Sequence, residues 1–206
     1  MKIYVVRHGE TPWNALKRIQ GTTDIPLNEK GIELARKTGE ALKDISFDAA
    51  FSSPLQRAYD TAKYILRDRD IPIRTDARIR EISFGVMEGT SSLIDGGGEF
   101  AENFQLFFHA PEKYQPPKGG ETLDEVCQRT GEFLSELLGR EEYEDSTILV
   151  ASHGCAVRAM LQRFYHDDLG FWHGKVPPNC SVNIIDASRG QAVLAVEDQV
   201  YYEKKE

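Results

Sequence analysis

Cysteine is scarce and odd in number: Cys127, Cys155 and Cys180 are the only three in 206 residues. They share no metal-ligand spacing and cannot all pair, so a reduced, cytosolic protein is expected rather than a disulfide-stapled one. Long apolar runs are missing as well. None approaches the ~18 residues of a transmembrane helix. The opening stretch Met1-Lys2-Ile3-Tyr4-Val5-Val6-Arg7 meets a charge after four apolar residues, which reads as a strand and not as a signal peptide. Positive charge is in deficit, with 25 Lys and Arg against 33 Asp and Glu and a net charge of −8. That balance disfavours nucleic acid or an anionic membrane as the main partner. It leaves room for a small anionic ligand, because a pocket depends on local charge. There is no internal repeat and no low-complexity linker.

What is present describes a globular chain, with 40% hydrophobic and 28% charged residues. The length suits a single domain over 1–206. Strands are expected at Ile3 to Val6, Ala49 to Ser52, Thr147 to Ala151, Val182 to Ile185 and Ala192 to Val196, with a short extended piece at Ile71-Pro72-Ile73. Helical periodicity separates them. Asn28 opens one helix whose apolar face carries Leu34, Ala35, Thr38, Ala41 and Leu42. Ser53-Pro54-Leu55-Gln56 reads as a cap, a proline at the first helical position and a Gln three residues on, starting a second helix. Thr122-x-x-Glu125 is a capping box for a third, and Gly154 starts a fourth that runs to Phe164. Alternating strands and helices predict a three-layer α/β sandwich with a largely parallel central sheet flanked by helices. Residues 90–120, rich in Gly and Pro around a short helical stretch, read as a lid-like insertion.

Three motifs follow directly on predicted strands: Arg7-His8-Gly9-Glu10-Thr11, Ser52-Ser53-Pro54-Leu55-Gln56-Arg57, and Ser152-His153-Gly154. Open α/β sheets bind ligands beyond the carboxyl ends of their strands. Such a sheet would bring Arg7, His8, Arg57 and His153 into one crevice. Two guanidinium groups and two imidazoles there suit a phosphate, and the helix start at Gly154 adds backbone N–H groups. A histidine beside a phosphoryl group can act as a nucleophile when its ring is neutral, and nearby guanidinium charge favours the neutral form. Each residue also has a plainer reading: a capping or core histidine, a solvated surface arginine. Ser152 and His153 are adjacent on an extended segment and point to opposite faces, which argues against a serine–histidine nucleophilic pair. No His-x-His, His-x-x-x-His or carboxylate cluster supports a metal site. The combination of three strand ends outweighs the single readings.

These motifs, with Gly21-x-x-Asp24-x-Pro26-Leu27, Arg80-Glu81-x-x-Phe84-Gly85-x-x-Glu88-Gly89, Gly120-Glu121-Thr122 and Asn179-Cys180-Ser181-Val182 in order, cover nearly the whole chain. The sequence resembles the histidine phosphatase superfamily in its phosphoglycerate-mutase-like branch. The resemblance implies that His8 is the phosphorylated nucleophile and that Arg7, Arg57 and His153 hold the phosphoryl oxygens. It places Asn14 as a further hydrogen bond to phosphate and Glu81 as proton donor to the leaving oxygen, then base for water. Ile82 and Phe84 give Glu81 apolar neighbours, but the residues alone do not choose it over Glu88. No metal or organic cofactor is implied. The expected partner is a small phosphorylated metabolite.

Three functions are compatible with this pattern: a phosphomonoester phosphatase, a cofactor-dependent phosphoglycerate mutase, and a non-catalytic phosphate-binding module. The last is disfavoured because every expected catalytic position is filled. By resemblance, mutases carry a polar, basic stretch beside the catalytic Glu and a longer Arg-rich insertion. Here the stretch is Glu81-Ile82-Ser83-Phe84-Gly85, and residues 90–120 hold two lysines against four acids, a formal −2. Both features lean toward a phosphatase. Within the insertion, Phe100, Phe104, Phe107 and Phe108 recur at helical spacing, which gathers four rings on one face. The plain reading packs the insertion onto the domain; the sharper one sets one or two rings at the pocket mouth against the organic part of a substrate.

Overall fold

The computed structural model describes residues 1–91, 99–166, 168–188 and 191–203; for residues 99–101 it describes the backbone alone. Six strands form one sheet: β1 (Lys2–Arg7), β2 (Ala49–Ser52), β3 (Ile73–Thr75), β4 (Thr147–Ser152), β5 (Val182–Ser188) and β6 (Gln191–Gln199). Their spatial order is β3-β2-β4-β1-β5-β6. The first four are mutually parallel, whereas β5 runs antiparallel to β1 and β6 antiparallel to β5. The sheet is thus mixed, and only β5 opposes the common direction. The two late strands are longer than their apolar centres predict, because they pair as a hairpin whose outer residues are partly solvated.

The helices are α1 (Pro12–Ala15), α2 (Glu29–Ala41), α3 (Gln56–Leu66), α4 (Glu99–His109), α5 (Leu123–Leu138) and α6 (Gly154–Leu161). Alternation along the strands assigns them to two faces. Ile3 and Val5 of β1 and Ile148 and Val150 of β4 pack with Phe133, Leu134 and Leu137 of α5 and with Val157 and Met160 of α6. Tyr4, Val6, Leu149 and Ala151 point the other way, onto Ala58, Ala62 and Ile65 of α3 and Leu42 after α2. This is the expected three-layer arrangement.

The register places Arg7 beside Ser152 and Ser52 beside Ala151, so β1, β4 and β2 end level. From β1 the chain reaches β2 on one side, and after β4 it crosses to β5 on the other. The strand order reverses there, and a crevice opens at that reversal. Glycines let the first loop close tightly. A Cβ on Gly9 would meet the Gly31 carbonyl oxygen at 2.5 Å, and one on Gly31 would meet the Glu10 oxygen at 2.1 Å. The start of α2 is therefore pressed against the loop that follows His8.

One predicted cap is not formed. The helix α3 begins at Gln56 after Leu55, which makes no side-chain cap bond, and the Gln56 amide is taken by Asp24 Oδ1 at 2.8 Å. Ser53 has other work, described next.

Candidate active site

His8 is the first residue beyond β1 and is buried. Its backbone is fixed on both sides: its N–H donates to the Ser152 carbonyl (2.9 Å), and Asn179 Nδ2 donates to its own carbonyl (3.0 Å). The ring is oriented by Nδ1, which donates to the Gly9 carbonyl at 2.6 Å. That bond puts the proton on Nδ1 and leaves the lone pair on Nε2. Burial first, then the charges of Arg57 and Arg7, push the imidazole pKa well below its usual value, so the ring is neutral at pH 7.

Around it stand three nitrogen groups with unspent hydrogen-bonding capacity. Arg57 is fully buried, not the surface residue its place in a first helical turn allows. Its Nη1 donates to the Thr23 carbonyl at 2.9 Å and its Nη2 to the Gly21 carbonyl at 2.7 Å. Burial lowers its pKa to about 10, which still leaves it charged at pH 7. Arg7 Nη1 donates to the Pro177 carbonyl. His153 is fully buried, with its ring centroid 5.1 Å from that of His8. Its Nε2 meets Ser53 Oγ at 2.7 Å. Ser53 Oγ accepts from the Leu55 N–H and has a proton of its own to give Nε2; in that tautomer the His153 proton is on Nδ1. Among the described residues, Arg7 Nε, Arg57 Nε and His153 Nδ1 are buried with no partner. Unsatisfied buried donors cost about 1–3 kcal/mol each, and three of them beside one histidine match the oxygens of a tetrahedral anion.

A cavity of about 250 Å³ opens over this floor. Arg7, His8, Asn14, Arg57, Glu81 and Gly154 all line it, so the structure brings these sequence candidates together, and the fully buried His153, its ring against that of His8, is not among the lining residues. Asn14 Oδ1 accepts from the Thr11 N–H (3.1 Å) in the cap of α1, so its Nδ2 is the end left for a ligand. The guanidinium of Arg7 rests against the start of α6, where even a Cβ on Gly154 would only touch its Nε, at 3.5 Å.

Glu81 and Glu88, which residue reading alone did not separate, have different surroundings. The Glu81 carboxylate lines the cavity and accepts from the backbone N–H of Ala156 (3.1 Å) and Cys155 (3.3 Å) in the first turn of α6, and from Ile82 (3.1 Å). Its oxygens meet amides rather than the apolar side chains expected, because Ile82 and Phe84 turn into a separate core cluster. Glu88 stands off the cavity. It accepts from the N–H groups of Thr22 (2.8 Å), Thr23 (2.9 Å) and Phe84 (3.1 Å) and from both threonine hydroxyls. Those bonds hold the loop whose Gly21 and Thr23 carbonyls receive Arg57. Gly21 has φ +56° and no room for a Cβ beside Glu88.

Sequence reading missed the supports Ser53, Thr61 and Asn179 as site residues. Thr61 Oγ1 accepts the Gly9 N–H at 3.0 Å. It also missed Trp13, Phe84 and Trp172, which join the anticipated Phe104, Phe107 and Phe108 in an aromatic outer wall. Phe104 and Phe107 are buried against Phe84 and are core and wall at once, whereas Phe108 is 36% exposed and stacks on Trp172 at 5.4 Å. The Phe100 side chain and residues 92–98 lie outside the described set. Of the insertion's acids, Glu112 lines a neighbouring groove and Asp95 and the Glu99 side chain lie outside the described set; among the described residues Lys17 and Arg18 bring positive charge to this mouth. Among the described residues no group of three or more His, Cys, Asp and Glu is placed to hold a metal ion.

The buried imidazoles carry a pH consequence. Unfolded histidine takes up a proton near pH 6.5, whereas His8 and His153 resist it in the fold. Below that pH the unfolded chain binds more protons, so stability is complete above about pH 6.5 and declines as the pH falls. The expected result is a lower Tm at about pH 5 than at pH 7.5, with a smaller drop in His8→Asn. An equal drop in that variant would remove His8 from the effect.

The profile of the histidine phosphatase superfamily (branch 1) matches residues 3–198. An uncharacterized phosphatase, PhoE, of Bacillus subtilis (strain 168) is 33% identical over 182 residues, covering 88% of this chain and 86% of that protein. A 2,3-bisphosphoglycerate-dependent phosphoglycerate mutase 2 of Gloeobacter violaceus is 32% identical over 167 residues, covering 80% and 75%. The solved structure of Bacillus stearothermophilus YhfR matches with a TM-score of 0.86 at 33% identity over 97% of both chains. With this coverage and the cradle around His8, the chain belongs to the histidine phosphatase superfamily, among its phosphoglycerate-mutase-like members.

Proposed function

We propose that the chain is a metal-independent phosphatase that hydrolyses small phosphomonoesters through a phosphohistidine on His8. The observation that carries this reading is the set of unpartnered buried donors, Arg7 Nε, Arg57 Nε and His153 Nδ1, gathered around a neutral histidine whose Nε2 is unprotonated. In the first half-reaction Nε2 attacks phosphorus, the bond from phosphorus to the ester oxygen breaks, and Glu81 in its protonated form gives that oxygen its proton. The Cys155 and Ala156 amides then receive the resulting carboxylate. In the second half Glu81 takes a proton from water as the water attacks, the P–N bond breaks, and phosphate leaves. Arg7, Arg57 and His153 carry the oxygen charge that builds up in both transition states, with Asn14 beside them.

Beyond the phosphate the wall is aromatic, which favours substrates with a bulky organic part over small doubly anionic ones. Burying one ring against substrate is worth roughly 1.5–3 kcal/mol when complete. Phe108, the half-exposed ring, is the one that can be truncated with least damage to the core. Phosphate release is expected to be faster from bulky aryl or nucleoside monophosphates than from 3-phosphoglycerate. Phe108→Ala is expected to lower kcat/KM for the bulky esters by roughly tenfold and to leave 3-phosphoglycerate unchanged. An unchanged ranking would show that the ring is only core. The mutase reading draws on one observation, the cations Lys17 and Arg18 at the mouth, which suit a carboxylate. The same assay separates the two, because a mutase yields an isomer of 3-phosphoglycerate in place of free phosphate.

A further inference from the structure

Glu81 stands on irregular backbone between two short 3₁₀ turns, at Ala77–Ile79 and Gly85–Met87, where no sheet ladder or helix fixes it. A general acid there must nevertheless be held to within a fraction of an ångström of the leaving oxygen. What does this is Arg129, on α5, 48 residues away in the chain. Its side chain is only 12% exposed. All five of its N–H groups are committed: Nη1 donates to the carbonyls of Arg78 and Arg80 (both 2.7 Å), and Nη2 donates to the carbonyl of Glu81 itself (3.1 Å). Nη2 also reaches Glu121 Oε2 (3.1 Å), and Nε reaches Glu121 Oε1 (3.0 Å).

Glu121 closes the clamp from the other side. Its Oε2 accepts the Ser83 N–H at 2.8 Å and its Oε1 accepts Arg80 Nη2 at 2.8 Å. Its own backbone N–H donates to the Ser83 carbonyl at 2.9 Å. The peptide units immediately before and after Glu81 are therefore gripped by one charged pair, and the carboxyl end rests on the amides of α6. Neither Arg129 nor Glu121 lines the cavity. Five bonds into three carbonyls and one carboxylate are more than a helix-surface arginine needs for its own solvation. They converge on the one loop residue that would move a proton.

We infer that Arg129 and Glu121 form a positioning pair for the Glu81 carboxyl, and that they set the rate of proton transfer to the leaving group without touching substrate. This rests on the assignment of proton transfer to Glu81 made above. A lysine at position 129 keeps the charge but has three donors on one atom and cannot span the carbonyls and the carboxylate together. A displacement of about 1 Å in a catalytic group costs up to ~100-fold.

The experiment compares Arg129→Lys, Glu121→Gln, Glu81→Gln and the double variant Arg129→Lys/Glu81→Gln on an alkyl and an aryl phosphate. An aryl leaving group departs with little protonation, so only the alkyl ester reads the acid. Arg129→Lys is expected to lose roughly 10- to 100-fold in kcat/KM on the alkyl ester and less than about threefold on the aryl ester, since kcat/KM ends at departure of the leaving group and leaves out the water step in which Glu81 also acts. Glu121→Gln is expected to show the same selectivity. The double variant should be within about twofold of Glu81→Gln alone, since the clamp acts through that carboxyl. The alkyl-to-aryl ratio within one preparation cancels the fraction of folded enzyme, so a poorly folding variant still gives a reading. An equal loss on both esters, or full additivity in the double variant, overturns the positioning role. If Glu81→Gln itself treats both esters alike, the acid assignment fails and the clamp falls with it. A selective Glu81→Gln with an unselective Arg129→Lys overturns the clamp alone.

Discussion

His8→Ala is expected to leave no measurable turnover, a loss on the order of 10⁶ in kcat for removal of a covalent nucleophile. The size follows from the geometry. His8 lines the cavity with Nδ1 spent on the Gly9 carbonyl and Nε2 unprotonated, whereas His153 is not a lining residue and its Nε2 is engaged by Ser53. Among the described residues no serine or threonine lines this cavity, and Cys155, which does, is a buried thiol whose pKa is pushed well above the usual value. The variant should still bind inorganic phosphate, because Arg7 and Arg57 keep their carbonyl anchors, and phosphate should still raise its Tm. Steady-state phosphate release from an aryl ester checks the first statement and a thermal shift the second. Residual turnover within a hundredfold of the native chain would mean that another group attacks.

The second large effect is expected at Glu81→Gln, at roughly 10²–10⁴ in rate with alkyl phosphates. The amide side chain is nearly isosteric, and its oxygen can still accept from the first turn of α6, so the fold around Ala156 should persist. What it cannot do is deliver a proton to an alkoxide and take one from water. With an aryl phosphate the loss should shrink toward the cost of the water-activating step alone. Glu88→Gln provides the contrast. Glu88 supports Thr22 and Thr23, and through them the carbonyls that receive Arg57, so its loss should raise KM and lower Tm with no preference between esters. Equal leaving-group selectivity in both variants would contradict the separate roles the geometry gives them.

The sheet and the crevice that gathers Arg7, His8 and Arg57 were legible because their signals are local in the sequence. Three strands, β1, β2 and β4, end in a short motif, and their parallel pairing brings Arg7, Arg57 and His153 to one edge. The Thr122 capping box formed as read, since its signal spans four residues. Ser53 shows the limit of such local signals. Its position before a proline marks a helix cap, yet a histidine 100 residues away claims its hydroxyl, and Asp24 supplies the cap instead. The choice between Glu81 and Glu88 failed on residue reading for the same reason. Both sit near Phe84, and what separates them is the start of α6 on one side and the loop at residues 21–23 on the other. Summed charge does not tell which charges line a cavity: Glu112 lines a neighbouring groove, whereas Lys17 and Arg18 reach this one from a different loop. The aromatic spacing at 104, 107 and 108 was correct, but one helical face proved to be both core and wall.

The central claim is that the phosphoryl group passes through Nε2 of His8, and rapid-quench trapping with a phosphate-labelled aryl ester tests it most directly. The expected result is a phosphorylated protein that forms within the first turnover, is labile in acid and stable in alkali, and carries the label on the peptide containing His8. Label on another residue, or full turnover with none trapped on the protein at any time, would contradict the account.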